Sequence, residues 1–245
     1  MRRIFVYFIS LLLVLSFCPQ EAKSQDTIRF PLKIKAGIEV AGPIYYLIER
    51  NNFIFEGYIS FDMSEKIAPA LNIGYSDYGY TQYNYNFRSN GIFMRAGADF
   101  NLLAPDKTKG KYYMGLGVRY GLSFFNSEYP SFHQENYWGN TSSFIPSETA
   151  LGHFVELSPG VRTQIFKHIT IGWNISLRFL LSAGTDIKPV YMPGFGDATK
   201  TFSPGLGYFI SWNIPYRTKN VILKKEEPEE EEEPVNTGSQ PTIRQ

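Results

Sequence analysis

From residue 112 to residue 124 every second side chain is apolar: Tyr112, Met114, Leu116, Val118, Tyr120, Leu122 and Phe124. Between them stand Tyr113, Gly115, Gly117, Arg119, Gly121 and Ser123. A period of two sustained over 13 residues describes a strand with two chemically different faces. Residues 169–181 repeat the pattern, with Ile169, Ile171, Trp173, Ile175, Leu177, Phe179 and Leu181 against Thr170, Gly172, Asn174, Ser176 and Arg178; only Leu180 is out of character. Both runs exceed the usual strand of about five or six residues. Six shorter segments share the alternation: 34–40, 53–61, 71–75, 92–102, 155–165 and 206–214. Eight strands are therefore expected, and an even number lets an antiparallel meander close on itself without an unpaired edge.

The connections alternate in length. Residues 62–66, 104–110 and 166–168 are short turns, whereas 126–149 and 182–203 are long; 78–90 is intermediate and 43–52 modest. Short turns on one rim and long loops on the other match outer-membrane barrels, in which the short turns are periplasmic. A hairpin hidden within 78–90 or 182–203 would raise the count to ten strands.

Residue size decides which face points outward. The interior of an eight-stranded barrel is just wide enough for side chains to fill, and the apolar face carries Trp, Phe, Ile and Leu at almost every position. Turned inward it would overfill, as a soluble lipocalin-like barrel requires; turned outward it meets lipid, with Tyr112, Trp173, Tyr208 and Trp212 suited to interfacial belts. The fold expected is all-β, an eight-stranded antiparallel up-and-down transmembrane barrel.

The opposite face then lines the lumen and carries Glu56, Arg95, Asp99, Arg119, Glu156, Arg162 and Arg178. Such a set stays buried only if its members pair. Closing the 166–168 turn by pairing Ile165 with Ile169 sets Glu156 directly opposite Arg178. Pairing Leu103 with Lys111 sets Arg95 opposite Arg119, a like-charge contact that needs Asp99 or Glu156 nearby. A charged, side-chain-filled core is expected rather than a pore.

The termini are of another kind. Met1-Arg2-Arg3, an apolar run over 4–17 and Ala22-Lys23-Ser24 describe a secretory signal peptide, residues 1–24. Phe17 occupies the place where a lipobox ahead of Cys18 would have Gly or Ala, and the 14-residue run is short of the ~20 residues a spanning helix needs. Cys18 is the only cysteine, so the mature chain, with the barrel at 25–216, has no disulfide. Residues 217–245, with five consecutive glutamates, are expected to be an acidic, disordered periplasmic tail. Overall 24 Lys+Arg balance 23 Asp+Glu, which excludes the electrostatic footprint of a nucleic-acid binder.

Catalytic chemistry has little to stand on. The histidines are His133, His153 and His168. His153, Glu156 and Ser158 suggest a hydrolase triad, but in a strand His153 and Glu156 point to opposite faces. No phosphate loop, dinucleotide fingerprint or metal-ligand spacing occurs, so no catalytic residue, cofactor or metal is expected. His133, Tyr137 and Trp138 form an aromatic-rich cluster in the longest loop, a candidate interaction site alongside residues 189–195.

The stretch 114–124, Trp138-Gly139-Asn140, Glu156-Leu157 with Gly160-Val161-Arg162, Gly172-Trp173, Met192-Pro193-Gly194-Phe195-Gly196 and Trp212-Asn213-Ile214-Pro215-Tyr216 resemble, in order, a family of Bacteroidota outer-membrane proteins of unknown function. The whole is similar to the small OmpX/OmpA-type barrels, and Gly207, Ile210 and Trp212 resemble the terminal-strand signal read by the barrel assembly machinery. The resemblance implies outer-membrane lipid and that machinery as partners, and the balanced charge implies no nucleic acid. A structural or surface-interaction role with surface or periplasmic protein partners is the function expected. A lipid-modifying enzyme and a small channel are the alternatives.

Overall fold

The computed structural model describes residues 27–48, 50–134, 137, 139 and 141–222. The signal-peptide segment, Trp138 and residues 223–245 of the acidic tail lie outside them. Residues 28–221 form one compact unit; the second, residues 1–27 with 222–245, falls almost wholly outside the described residues.

Eight long strands close in a ring: β1 (Thr27–Glu39), β2 (Asn52–Phe61), β3 (Ile67–Gln82), β4 (Tyr85–Asn101), β5 (Tyr112–Gln134), β6 (Thr141–Gln164), β7 (Ile169–Ser182) and, after a small hairpin β8 (Tyr191–Met192) and β9 (Gly196–Asp197), the closing strand β10 (Phe202–Ile222). Each strand pairs with its chain neighbour in the barrel, and β1 meets β10, so no edge remains along the ring. The hairpin β8–β9 is a separate two-stranded sheet, so the barrel has eight strands although residues 182–203 do contain a hairpin.

The faces divide by chemistry. Ile59, Ile73, Ile92, Phe124, Leu206 and Trp212 are all more than half exposed on the outer wall. The inner wall buries Asn72, Ser76, Ser89, Ser123, Ser176 and Asn213. Apolar outside and polar inside is the inverse of a soluble domain, and it is what hydrocarbon as solvent demands. Tyr208 and Trp173 are cross-strand partners on the lipid-facing wall. Among the described residues no helix is long and apolar enough to cross a membrane, which says nothing of a barrel.

Three connections and the end of the last strand differ from the sequence expectation. Residues 43–52 hold a short helix, α1 (Ala41–Ile48), which begins where the Glu39 carboxylate accepts the Ala41 and Gly42 backbone N–H groups at 2.9 and 2.8 Å. Its Leu47 and Ile48 side chains, each 79% exposed, extend the apolar outer surface. Residues 78–90 are not a loop but the ends of β3 and β4. Residues 126–149 are also mostly strand: Ser127 pairs with Glu148, Tyr129 with Ile145 and His133 with Ser142. Register shifts flank Tyr129, beside Pro130 and opposite the Pro146 region, and these prolines and bulges hid the alternation. Lastly, β10 runs to Ile222, six residues past the barrel boundary at 216, and β1 is its neighbour in the ring, with the Val40 N–H donating to the Tyr208 carbonyl at 2.8 Å.

The candidate functional site: a charged lumen sealed by a plug

Midway through the barrel the seven charged side chains of the inner wall meet. Glu156 on β6 is the centre, 1% exposed. Its Oε2 accepts from Arg178 Nε at 3.0 Å and from Arg95 Nη1, and its Oε1 accepts from Arg119 Nη1 at 3.3 Å. Arg95 Nη2 also donates to Glu56, whose other oxygen accepts from Asn72 Nδ2 at 2.6 Å. Asp99 bridges Arg119 Nη2 and Arg162 Nη2, both at 2.6 Å. One connected network thus runs from β2 to β7 across the lumen, four guanidinium groups against three carboxylates. The Arg162 guanidinium lies 4.7 Å from the Tyr113 ring centre and 5.7 Å from that of Tyr58, which suits its cationic plane.

Register explains how the groups reach each other. Glu156 stands directly opposite Arg178, because the tight turn at 166–168 leaves the ladder no slack. The 102–111 connection is different: it winds through a single helical turn, α2 (Pro105–Thr108), and Lys109 and Gly110 take positive φ of 46° and 72°. The β4–β5 ladder is consequently displaced by two residues from the Leu103–Lys111 pairing. Arg95 faces Gly121 and Arg119 faces Gly97, so the expected like-charge contact does not form. A β-carbon at Gly117 would lie 2.7 Å from Asp99 Oδ1 and 2.8 Å from Arg119 Nη1, so glycine there leaves room for the ion pair.

Above the network, at the long-loop end, residues 183–201 fold back into the barrel mouth. Met192, Phe195 and Ala198 are fully buried against Phe125, Ala150 and Phe154, and Phe154 meets Phe195 edge-on at 5.7 Å between ring centres. Tyr191 stacks on Tyr78 with centres 4.1 Å apart, and its hydroxyl lies 3.1 Å from Ser76 Oγ. Gly194 has φ of 76°, and a β-carbon there would lie 2.5 Å from Phe93, so this tight bend requires glycine. Arg178 Nη1 donates to the Phe195 carbonyl at 3.2 Å, which ties plug to network. Residues 189–195 are therefore not displayed: their apolar side chains gain more by filling the mouth than by facing solvent. Burial pushes the Tyr191 hydroxyl above the ordinary tyrosine range, with the Ser76 contact acting against that rise.

The remaining candidates separate. His133 lies on the β5–β6 hairpin, its Nδ1 2.8 Å from Ser142 Oγ, and Tyr137 is 93% exposed at the turn. His153 sits on the outer wall 2.9 Å from the Tyr120 hydroxyl, while Glu156 and Ser158 are buried inside, so the three do not assemble. His168 stacks on Trp212 in the short turn. Sequence reasoning did not single out Asn72 or Tyr113, nor Lys33 and Lys35, which gather with Asp62 at the short-turn end, and it put residues 189–195 on display rather than in the plug. The Pro193-Gly194 pair beside buried-type apolar residues was the available signal for the plug.

An eight-stranded antiparallel ring with an apolar exterior and a side-chain-filled polar interior is the architecture of the small OmpX/OmpA-type outer-membrane barrels. The chain belongs to the family described as domain of unknown function DUF6048, whose model matches residues 1–219. No curated protein matches it. Among solved structures it is similar to the N-terminal β-barrel domain of Pseudomonas aeruginosa OprF, with 11% identity over 78% of this chain and 98% of that one, TM-score 0.32. Neisserial surface protein A gives 11% identity over 78% and 100%, TM-score 0.34, and Ail of Yersinia pestis 9% over 75% and 97%, TM-score 0.35. At these TM-scores the assignment of the fold rests on the closed sheet of this chain itself.

Proposed function

We propose that this is an outer-membrane barrel of a Gram-negative bacterium with a structural and surface-interaction role, and that it neither conducts ions nor catalyses a reaction. The observation that carries this reading is the contrast between a sealed lumen and a sheet that continues past the apolar belt. On β4, β5 and β6 the outward apolar series ends at Ile92, Phe124 and Leu151, yet β5 runs on to Gln134 and β6 starts at Thr141. This extension displays Tyr83, Tyr137 and Phe144, all more than two-thirds exposed. Exposed aromatic side chains offer large contact area at low entropy cost, the usual currency of binding surfaces. In this reading the long-loop end faces the medium and the short turns face the periplasm. Outer-membrane lipid and, during biogenesis, the barrel assembly machinery are its obligatory partners.

The paired luminal arginines and the plug count against the channel, and the separation of His153 from Glu156 counts against a lipid-modifying hydrolase. Replacing residues 126–149 by a two-residue Asn-Gly turn shortens the extension and leaves the barrel ladder below it intact. The shortened protein is expected to keep its heat-dependent electrophoretic mobility while losing capture of cell-surface or envelope partners in cross-linking experiments. Undiminished capture overturns the surface-interaction role. Altered lipid A acylation in a deletion strain would restore the enzyme.

A further inference from the structure

The short-turn end of the lumen holds a cavity of about 50 Å³ beneath the Asp99–Arg162 pair. Five basic side chains line it: Lys33, Lys35, Lys66, Lys111 and Arg162. The three carboxylates on the same wall are already engaged. Asp62 accepts Lys35 Nζ at 2.6 Å and the Lys33 backbone N–H at 3.1 Å, Asp99 holds Arg119 and Arg162, and Glu65 accepts Lys219 Nζ at 2.9 Å. Among the described residues, Lys33, Lys66 and Lys111 have no carboxylate within ion-pair distance.

Lys33 is the unusual one. It is 7% exposed, and its ammonium donates at 2.6 Å each to the Gly110 carbonyl and to Gln164 Oε1, both neutral. A buried ammonium satisfied only by neutral acceptors keeps most of its desolvation cost, and Lys35 and Lys111 on the same wall add like charge. Independently, the buried Tyr113 hydroxyl, on this wall, has no hydrogen-bond partner. Excess positive charge, a spare buried hydroxyl donor and room for several waters or one tetrahedral group together define an anion site.

We propose that this cavity binds a phosphate-type oxyanion, either free phosphate or the phosphate of a lipid headgroup, through Lys33 and Lys111 with the Tyr113 hydroxyl as a further donor. Lys111, exposed at the rim, draws the anion in, and Lys33 and Tyr113 hold it inside. The site stands whichever side of the membrane this mouth faces.

The test uses the full chain folded in a phosphate-free, non-ionic detergent. Inorganic phosphate is titrated calorimetrically and by thermal unfolding, and the protein is then moved into phosphatidylcholine vesicles with or without phosphatidylglycerol. Saturable one-to-one binding of phosphate with a raised Tm is expected, weakened at least about tenfold by Lys33→Met and by Lys111→Gln. Lys200→Gln, in the plug-side loop, leaves it unchanged. Lys111 is exposed, so its variant folds even if Lys33→Met does not, and heat-shift electrophoresis reports folding of both. Stabilisation by inorganic phosphate in detergent assigns the free anion; stabilisation only in phosphatidylglycerol vesicles, lost in Lys111→Gln, assigns the headgroup. No binding in either arm, or binding indifferent to both lysine substitutions, overturns the proposal.

Discussion

The two halves of the lumen are filled by opposite means. The half toward the long loops is packed like the core of a soluble protein, with Met192, Phe195 and Ala198 pressed on Phe125 and Phe154. The middle, toward the short turns, is filled by seven charged side chains in one ion-paired network. The apolar half comes from a loop that folds back and is therefore separable from the barrel. The charged half comes from the strands, so its geometry is inseparable from their register. An apolar contact tolerates small errors of position, whereas each buried charge is costly unless its partner is in place. The charged half should accordingly be the more fragile to single substitutions, and the plug the part that opens locally.

The largest effect is expected in the network. Glu156→Leu removes the one carboxylate that Arg95, Arg119 and Arg178 share, and should cost about 3–5 kcal/mol. Urea unfolding in detergent, followed by tryptophan fluorescence, measures it; a loss below about 1 kcal/mol would mean that water enters the lumen and screens these charges. Next comes the plug. Phe195→Ala removes a fully buried ring and should cost about 3 kcal/mol of plug docking. That loss should appear as faster proteolysis within 183–201 with barrel mobility on gels unchanged. Global unfolding at the same midpoint shift would show that plug and barrel are one cooperative unit.

The smallest effect is in pH. The Tyr191 hydroxyl is raised in the folded state by burial. The stability it contributes is complete below the ordinary tyrosine value near 10 and is lost as pH rises from there through the folded value. Plug protection should therefore decline in alkali, and Tyr191→Phe should flatten that decline.

How much of this was legible depended on periodicity. Where alternation is unbroken, as in 112–124 and 169–181, residue size alone assigns the faces, and with them the inward position of all seven charged groups. The Glu156–Arg178 alignment followed from the short turn at 166–168, whose length permits one register. The β4–β5 register did not follow, since a link that winds through Pro105–Thr108 consumes residues without advancing along the strand. The strand extensions were masked by Pro130 and Pro146 and the neighbouring bulges. The plug has no period to read: Met192-Pro193-Gly194-Phe195-Gly196 is apolar and turn-forming at once. Only the buried surface waiting at Phe93 and Phe154 decides that it folds inward.

The claim on which the rest depends is that the lumen is closed, by ion pairs in the middle and by the plug at the long-loop end. Planar-bilayer recording of the purified protein tests it directly, beside a variant in which residues 187–200 are replaced by a short Gly-Ser linker. The native chain should give no sustained conductance, and the linker variant at most small, brief openings, because the network still fills the barrel. Steady conductance of the native chain would contradict the account.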